Sequence, residues 1–210
     1  MCAVKKFDRD LEYLVLKMAE EVDEDIEWKL NELKRRLIHL HDERIVKINH
    51  SVMELVCSKQ LILKGYDVQV ERRLENKLVC DLYAEKGYGS LIVEVETGYI
   101  PPSHALDPSS YTLARIASKI IRYSACAERF ALGVPPHYIV RYPKTLTVPP
   151  RCRKREKLKS IKRLCDKYYQ NPPIRLNEIQ YARIHGIYII DVDHTRTQEV
   201  DPQAYLQSQE

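Results

Sequence analysis

Long apolar runs are absent from this 210-residue sequence. No stretch approaches the roughly 18 consecutive apolar residues that indicate a transmembrane helix. The opening residues, MCAVKKFDRD, contain no apolar core of the kind that a secretory signal peptide carries. We therefore expect no membrane association and an intracellular location.

Closely spaced cysteine pairs are also missing. The sequence has no CxxC pair and no Cys/His spacing typical of a zinc site. We expect the cysteines to serve as small core side chains, although disulfides remain an alternative if the source is a hyperthermophile. The six lie far apart, at Cys2, Cys57, Cys80, Cys126, Cys152 and Cys165.

A strong net charge is likewise missing, because 34 Lys+Arg oppose 30 Asp+Glu and leave a formal charge of +4. Residues 1–43 carry 8 basic and 12 acidic side chains, net −4, so residues 44–210 carry net +8. Residues 151–169 alone contain nine basic and two acidic side chains. Such a basic body is typical of a polyanion binder, although an ordinary solvated surface is the alternative.

Residues 1–43 are predicted to form a helical arm. Apolar residues recur at spacings of three or four from Leu11 through Met18 and Leu30 to Leu40, which predicts an amphipathic helix. The pattern changes at the acidic stretch EEVDED, so the arm is either one helix with a stutter or two helices. A continuous helix would project, and we expect its apolar stripe to form a homodimer. Packing back on its own domain is the alternative.

Residues 44–210 are predicted to form an α/β domain. With 44% hydrophobic and 30% charged residues, the chain has a globular composition. Helix-like and strand-like patterns alternate, which predicts a mixed β-sheet flanked by helices. The predicted helices cover 51–65, 110–130 and 153–169, and the predicted strands cover 66–74, 77–87, 90–98, 137–143 and 185–193.

Carboxylates interrupt two of the apolar strands. Glu94 and Glu96 point to one face of their predicted strand, and Asp81 interrupts the strand before it. Because burying a charge without a partner is costly, such residues face water, a cation or a metal. If the strands pair, Asp81 and Glu94 converge on a hard divalent ion, and Glu54 adds a further carboxylate. The alternative is an ordinary exposed strand face, with Ser51 and Glu54 capping their helix.

The carboxylates also follow a recognisable order. Glu54, then Asp81 within CDLYA, then EVE within LIVEVETG resemble the PD-(D/E)XK nuclease superfamily over residues 44–142. The archaeal Holliday junction resolvases and a nuclease of archaeal spindle-shaped viruses are particularly similar. The resemblance implies a restriction-endonuclease-like core that hydrolyses DNA with Mg²⁺ or Mn²⁺, in the cytoplasm of an archaeal host. It also implies that Asp81, Glu94 and the Val95 carbonyl bind the metal, and that Glu54 matches the family's helical glutamate.

Glu96 departs from the family pattern, which has a lysine at this position. That lysine is expected to orient the attacking water and to stabilise developing phosphate charge, which a carboxylate cannot do. Three explanations compete. Glu96 helps to bind a second metal, Lys119 on the next helix supplies the ammonium group, or the site is inactive.

Two helices carry basic side chains in patterns that favour DNA binding. Arg115, Lys119 and Arg122 share one helix face at i, i+4 and i+7, although a solvated face is an equal alternative. The later helix is too basic for internal ion pairs to neutralise, so phosphate binding there would be salt-dependent. No pattern implies base-specific contacts. The DNA-binding residues predicted here are Arg151, Arg153, Lys154, Arg155, Lys159, Lys162 and Arg163.

The pattern and the resemblance together predict a divalent-metal-dependent DNA endonuclease that acts on branched DNA, such as Holliday junctions, as a homodimer. One alternative is a catalytically inactive DNA-binding protein that retains the nuclease fold. Another is an interaction protein whose acidic arm recruits a host or replication partner. The catalytic residues expected for the enzyme are Glu54, Asp81, Glu94, Glu96 and Lys119.

Overall fold

The computed structural model describes residues 5–75 and 77–209 as an α/β protein. Its helices are α1 (Lys6–Ala19), α2 (Glu24–Asp42), α3 (Ile48–Leu63), α4 (Pro108–Tyr123), α5 (Arg155–Asp166), α6 (Leu176–Tyr181) and α7 (Pro202–Gln207). Its strands are β1 (Asp67–Arg73), β2 (Val79–Lys86), β3 (Gly89–Val95), β4 (Arg129–Val134), β5 (Gly186–Asp191) and β6 (Arg196–Val200).

The six strands form one mixed sheet in the order β1-β2-β3-β4-β5-β6. Strands β3, β4 and β5 are parallel to one another, and the remaining neighbours pair antiparallel. Helices α1, α2 and α3 share a hydrophobic cluster with one face of the sheet, and α4, α5 and α6 share a second cluster with the other face. The predicted mixed sheet flanked by helices is confirmed.

Strand β3 shows the alternation that its sequence predicts. Leu91, Val93 and Val95 are buried in the cluster on the α3 face, whereas Ile92 is buried in the cluster on the α4 face. Because successive side chains alternate along a strand, Glu94 follows Ile92 toward α4. The strand is therefore apolar on one face and carries its carboxylates on the other.

The N-terminal segment consists of two helices and packs on its own domain. Helix α1 ends at Ala19, and α2 begins after Asp23, whose side chain accepts the Ile26 N–H at 2.9 Å and caps the helix. The apolar stripe that includes Leu11 and Leu37 lies in the same cluster as α3 and the sheet. The expectation of a projecting arm is wrong, because the stripe is buried within one chain. The homodimer stays a prediction without this support.

Buried lysines of α2 and α3 form ion pairs with acids on or next to α1. Lys34 of α2 forms an ion pair with Glu12, and Lys59 of α3 forms one with Glu21, immediately after α1, at 2.5 Å. Both lysine side chains are almost completely buried. Because a buried ammonium requires a partner, these pairs fix the orientation of α1 on the domain.

Residues 137–143, predicted as a strand, lie outside the sheet. The helix predicted over 110–130 ends at Tyr123, which leaves the next apolar segment to form β4. A Pro-Pro pair follows β4 and cannot donate hydrogen bonds to a ladder. The Val140 N–H instead donates to the Tyr205 hydroxyl at 3.1 Å, so the segment packs against α7.

Among the described cysteines, Cys57, Cys80, Cys152 and Cys165 are free thiols. Cys57, Cys80 and Cys165 are buried, as expected for small core side chains, whereas Cys126 is partly buried and Cys152 is exposed. Cys2 lies outside the described residues. Within the described ranges, no helix combines the length and the apolar character needed to cross a membrane.

The packing of α1 predicts a difference between two leucines on this helix. Leu11 is fully buried, whereas Leu16 is 57% exposed. We expect Leu11→Ala to lower the free energy of unfolding by about 3 kcal/mol and Leu16→Ala to change it by less than about 0.5 kcal/mol. Urea denaturation measures both values. Equal effects would show that α1 does not complete the core.

Candidate functional site

Strands β2 and β3 separate where the predicted carboxylates lie. Leu82 and Val93 form the last regular pair of their ladder. Beyond it the Asp81 N–H donates to Glu94 Oε1 at 3.1 Å, and the Val95 N–H donates to Asp81 Oδ2 at 2.6 Å. Side chains therefore replace backbone bonds in this opening, which we call the strand gap.

Glu94 and Glu96 lie on the α4 side of the strand gap, where both are buried against a cation. Lys119 Nζ of α4 lies 3.1 Å from Glu94 Oε2, 2.9 Å from Glu96 Oε1 and 3.9 Å from Asp81 Oδ2. Of the three explanations for Glu96, this geometry matches the one in which Lys119 supplies the ammonium group. The catalytic role of Lys119 stays a prediction.

A second cationic side chain, Arg115, binds the other carboxylate oxygen of Glu96. Arg115 donates to Glu96 Oε2 at 2.7 Å and to the Tyr99 carbonyl at 2.6 Å. Lys119 Nζ also lies 3.4 Å from the Val95 carbonyl, the predicted backbone ligand of the metal. Glu96 thus orients both basic side chains toward the end of β3.

Glu54 reaches the strand gap from the opposite side, on α3. The predicted capping box is wrong, because α3 begins at Ile48 and both Ser51 and Glu54 are buried within it. Neither carboxyl oxygen of Glu54 has a hydrogen-bond partner among the described residues. Burial raises the pKa of Glu54 well above its usual value of 4.5, and the charge of Asp81 raises it further.

Glu71 is a residue of the site that the sequence did not reveal. It lies on β1 opposite Asp81, and its φ of +48° is unusual for a residue with a side chain. Burial, followed by the charge of Asp81, raises the pKa of Glu71 to about 7. In the sequence Glu71 is one polar residue of an alternating strand, so no local signal distinguished it.

His50 also belongs to the site and was not predicted. It lies one turn before Glu54 on α3, and donor atoms of His50, Glu54 and Asp81 all lie within 4.8 Å of one another. Burial lowers the pKa of His50, which favours the neutral imidazole that can bind a metal. The i, i+4 spacing of His50 and Glu54 was the available signal in the sequence.

Among the described residues, the strand gap contains more acidic side chains than basic side chains. Burial, followed by the charge of Asp81, raises the pKa of Glu94 to about 8. Two cationic side chains, Lys119 and Arg115, contact the acids. The excess of carboxyl groups and the partnerless oxygens of Glu54 fit a divalent cation with oxygen ligands. We call the five acids the acidic cluster: Glu54, Glu71, Asp81, Glu94 and Glu96.

Helix α5 carries four of the predicted DNA-binding residues, on the same side of the sheet as Lys119: Arg155, Lys159, Lys162 and Arg163. Its apolar face packs on α4, where the Cys165 thiol lies 4.0 Å from the Ala114 carbonyl. Lys162 is partly buried and pairs with Asp166 at 2.9 Å. The predicted DNA-binding residues that are exposed on or just before α5 are Arg151, Lys154, Arg155, Lys159 and Arg163.

Arg153 is a structural residue, so its predicted contact with DNA is wrong. It is buried, and its guanidinium donates to the carbonyls of Leu146, Val148 and Ile179 at 2.7 to 3.0 Å. A buried guanidinium that satisfies backbone carbonyls joins the loop before α5 to α6. It is not accessible to a phosphate group.

The predicted basic stripe on α4 also has partners within the chain. Arg115 and Lys119 bind acids of the cluster, and Arg122 donates to the Pro172 carbonyl at 2.8 Å. The stripe therefore balances the charge of the strand gap and holds a neighbouring loop. Direct phosphate contact by Arg115 and Arg122 stays a prediction.

The raised pKa of Glu54 predicts that Glu54→Gln stabilises the metal-free fold. When folding raises the pKa of an acid, the unfolded state loses its proton first as the pH rises. The stability of the fold is therefore fully retained below pH 4.5 and is lost as the pH rises through the folded pKa. Glutamine mimics the neutral acid at every pH, so we expect a gain of about 2 kcal/mol at pH 7 that disappears near pH 4.5.

Urea denaturation in the presence of a chelator measures this gain. The control is Glu85→Gln on β2, an exposed glutamate that should change stability by less than about 0.5 kcal/mol. A Glu54→Gln protein that is no more stable than the wild type at pH 7 would contradict the unpaired state of this acid.

No protein-family model, no curated protein and no solved structure matches the chain. The likeness to the PD-(D/E)XK nucleases is thus a resemblance of a few residues in a matching order. The observed fold class is α/β with a mixed six-stranded sheet.

Proposed function

We propose that this protein is a divalent-metal-dependent DNA endonuclease with a restriction-endonuclease-like core. The observation that carries the proposal is the acidic cluster, in which Lys119 lies within 3.1 Å of both Glu94 and Glu96. Carboxylates that converge beside an ammonium group can hold a metal ion and stabilise charge on a phosphate. A preference for branched DNA is part of the proposal and rests on the sequence resemblance.

Five residues of the site have proposed roles. Asp81, Glu94 and the Val95 carbonyl are the proposed metal ligands. When bound, Mg²⁺ or Mn²⁺ would act as a Lewis acid and lower the pKa of a coordinated water. Lys119 stabilises negative charge that develops on the phosphate. Glu96 holds Lys119 in place through the 2.9 Å contact.

DNA is proposed to lie along the face of the sheet that carries α4 and α5. The exposed basic side chains of α5 supply contacts to phosphates, and α5 packs directly on the helix that carries Lys119. Helices α1 and α2, whose segment is net acidic, pack on the opposite face. A polyanion is attracted to the first face and repelled from the second.

The second candidate function is DNA binding without cleavage. The observation that favours it is the neutralisation of Glu94 and Glu96 by Lys119 and Arg115, which weakens the attraction for a metal. Under this hypothesis the basic face binds DNA in the same way, and the acidic cluster has no chemical role. Cleavage and binding assays therefore separate the two functions.

The endonuclease hypothesis predicts cleavage that depends on Asp81 and Glu94. With Mg²⁺ or Mn²⁺, we expect the wild type to cut a labelled four-way junction faster than a linear duplex of the same sequence. Asp81→Asn and Glu94→Gln should reduce the rate by at least about 100-fold, because each removes a proposed metal ligand.

Glu85→Gln, an exposed substitution on the same strand as Asp81, is the matched control and should cut normally. If the wild type binds the junction but cuts no DNA with either ion, the endonuclease hypothesis fails and the second candidate remains. If Asp81→Asn cuts at the wild-type rate, the acidic cluster is not the active site.

The basic face predicts a specific change in salt dependence. Replacing Arg155, Lys159 and Arg163 with alanine should weaken duplex binding and lower the slope of log K against log salt by about 2 to 3. Fluorescence anisotropy at several salt concentrations measures the slope. The control removes three arginines, Arg9, Arg35 and Arg36, from the exposed surface of α1 and α2. Equal losses in both triple variants would argue against a binding face on α5.

A further inference from the structure

The α4 side of Asp81 already contains a cation. Lys119 Nζ lies 3.9 Å from Asp81 Oδ2 and closer still to Glu94 and Glu96. Asp81 Oδ2 also accepts the Val95 N–H at 2.6 Å. A metal ion bound by Asp81 and Glu94 on this side would share these carboxylates with an ammonium group, whereas oxygen atoms without a partner lie on the other side of Asp81.

The α3 side of Asp81 offers a position with unused ligand atoms. Donor atoms of His50, Glu54 and Asp81 lie within 4.8 Å of one another. Glu54 is fully buried, and neither of its oxygens has a partner among the described residues. A buried carboxyl group without a partner is costly, and a bound cation would remove that cost. The orphaned oxygens are therefore an independent indication of a ligand on this side.

The chemistry of these three side chains differs from that of an all-oxygen site. Mg²⁺ requires near-ideal octahedral geometry and favours carboxylates and water. An imidazole nitrogen favours transition-metal ions, which bind nitrogen more strongly. His50 is half-buried on α3, one turn from Glu54, so its ring is held near the two carboxylates.

We propose that His50, Glu54 and Asp81 form a cation site on the α3 side of the strand gap, and that its imidazole ligand selects Mn²⁺ over Mg²⁺. This inference rests on the proposed metal-dependent function and adds a histidine ligand and a preferred ion to it. Lys119 then remains on the α4 side, beside Glu96, with its ammonium group available to a phosphate.

Metal binding without DNA tests the inference. Free Mn²⁺ is measured by electron paramagnetic resonance during titration of the full chain, and Mg²⁺ is measured by competition. We expect the wild type to bind Mn²⁺ at least about tenfold more tightly than Mg²⁺. His50→Ala should lose at least about tenfold in Mn²⁺ affinity while its Mg²⁺ affinity changes much less, so the preference disappears.

Three further variants make the result specific. His39→Ala removes an exposed histidine of α2 and should bind both ions normally. Glu96→Gln alters an acid on the α4 side and should retain the Mn²⁺ preference. Glu54→Gln should lose both ions although its fold is intact. His50→Gln keeps a side chain of similar size and should reproduce the His50→Ala result if the protein folds.

The inference is overturned if His50→Ala and His50→Gln keep the wild-type preference, or if Glu96→Gln abolishes it while His50→Ala does not. Failure of the proposed function looks different. A protein that binds Mn²⁺ through His50 but cuts no DNA supports the cation site and refutes the endonuclease. A protein that cuts DNA with an unchanged ion preference in His50→Ala refutes only the histidine ligand.

Discussion

Concentrated negative charge at the strand gap is the constraint on which the site depends. Five carboxyl groups of the acidic cluster converge where two cationic side chains, Lys119 and Arg115, contact them. Because burial penalises uncompensated charge, the pKa values of Glu54, Glu71 and Glu94 are raised. Perturbed pKa values of this kind cluster at the functional sites of proteins.

The separation of β2 and β3 allows both faces of the sheet to serve one site. In a continuous sheet, α3 and α4 would lie on opposite sides of a closed hydrogen-bonded layer. At the strand gap, His50 and Glu54 approach Asp81 from one side and Lys119 approaches it from the other. Strand β3 stays in place because its other edge pairs with β4, where the Glu96 N–H donates to the Gly133 carbonyl at 2.8 Å.

The division of charge along the chain is also a division in space. The acidic segment of α1 and α2 covers one face of the sheet, and the basic helix α5 covers the other. The formal charge of +4 is a sum over the whole chain and conceals this division. Helices α1 and α2 also have a structural role, because their apolar stripe completes the hydrophobic cluster around α3.

The sequence by itself determined the features that depend on local periodicity. Alternation placed Glu94 and Glu96 on one face of the strand predicted over residues 90–98, and the helical repeat indicated the amphipathic helices. It also marked Asp81 as an interruption in an apolar strand. These predictions held because side-chain direction within a helix or strand follows from backbone geometry alone.

Only the tertiary structure decided which of these elements meet. It brought Lys119 to Glu96 across 23 positions of sequence, and it turned Arg153 inward to backbone carbonyls. It placed Glu71 and His50 beside Asp81 and folded the N-terminal helices onto the core. Contacts between distant segments depend on packing of the whole chain, and no periodicity within one segment specifies its partner.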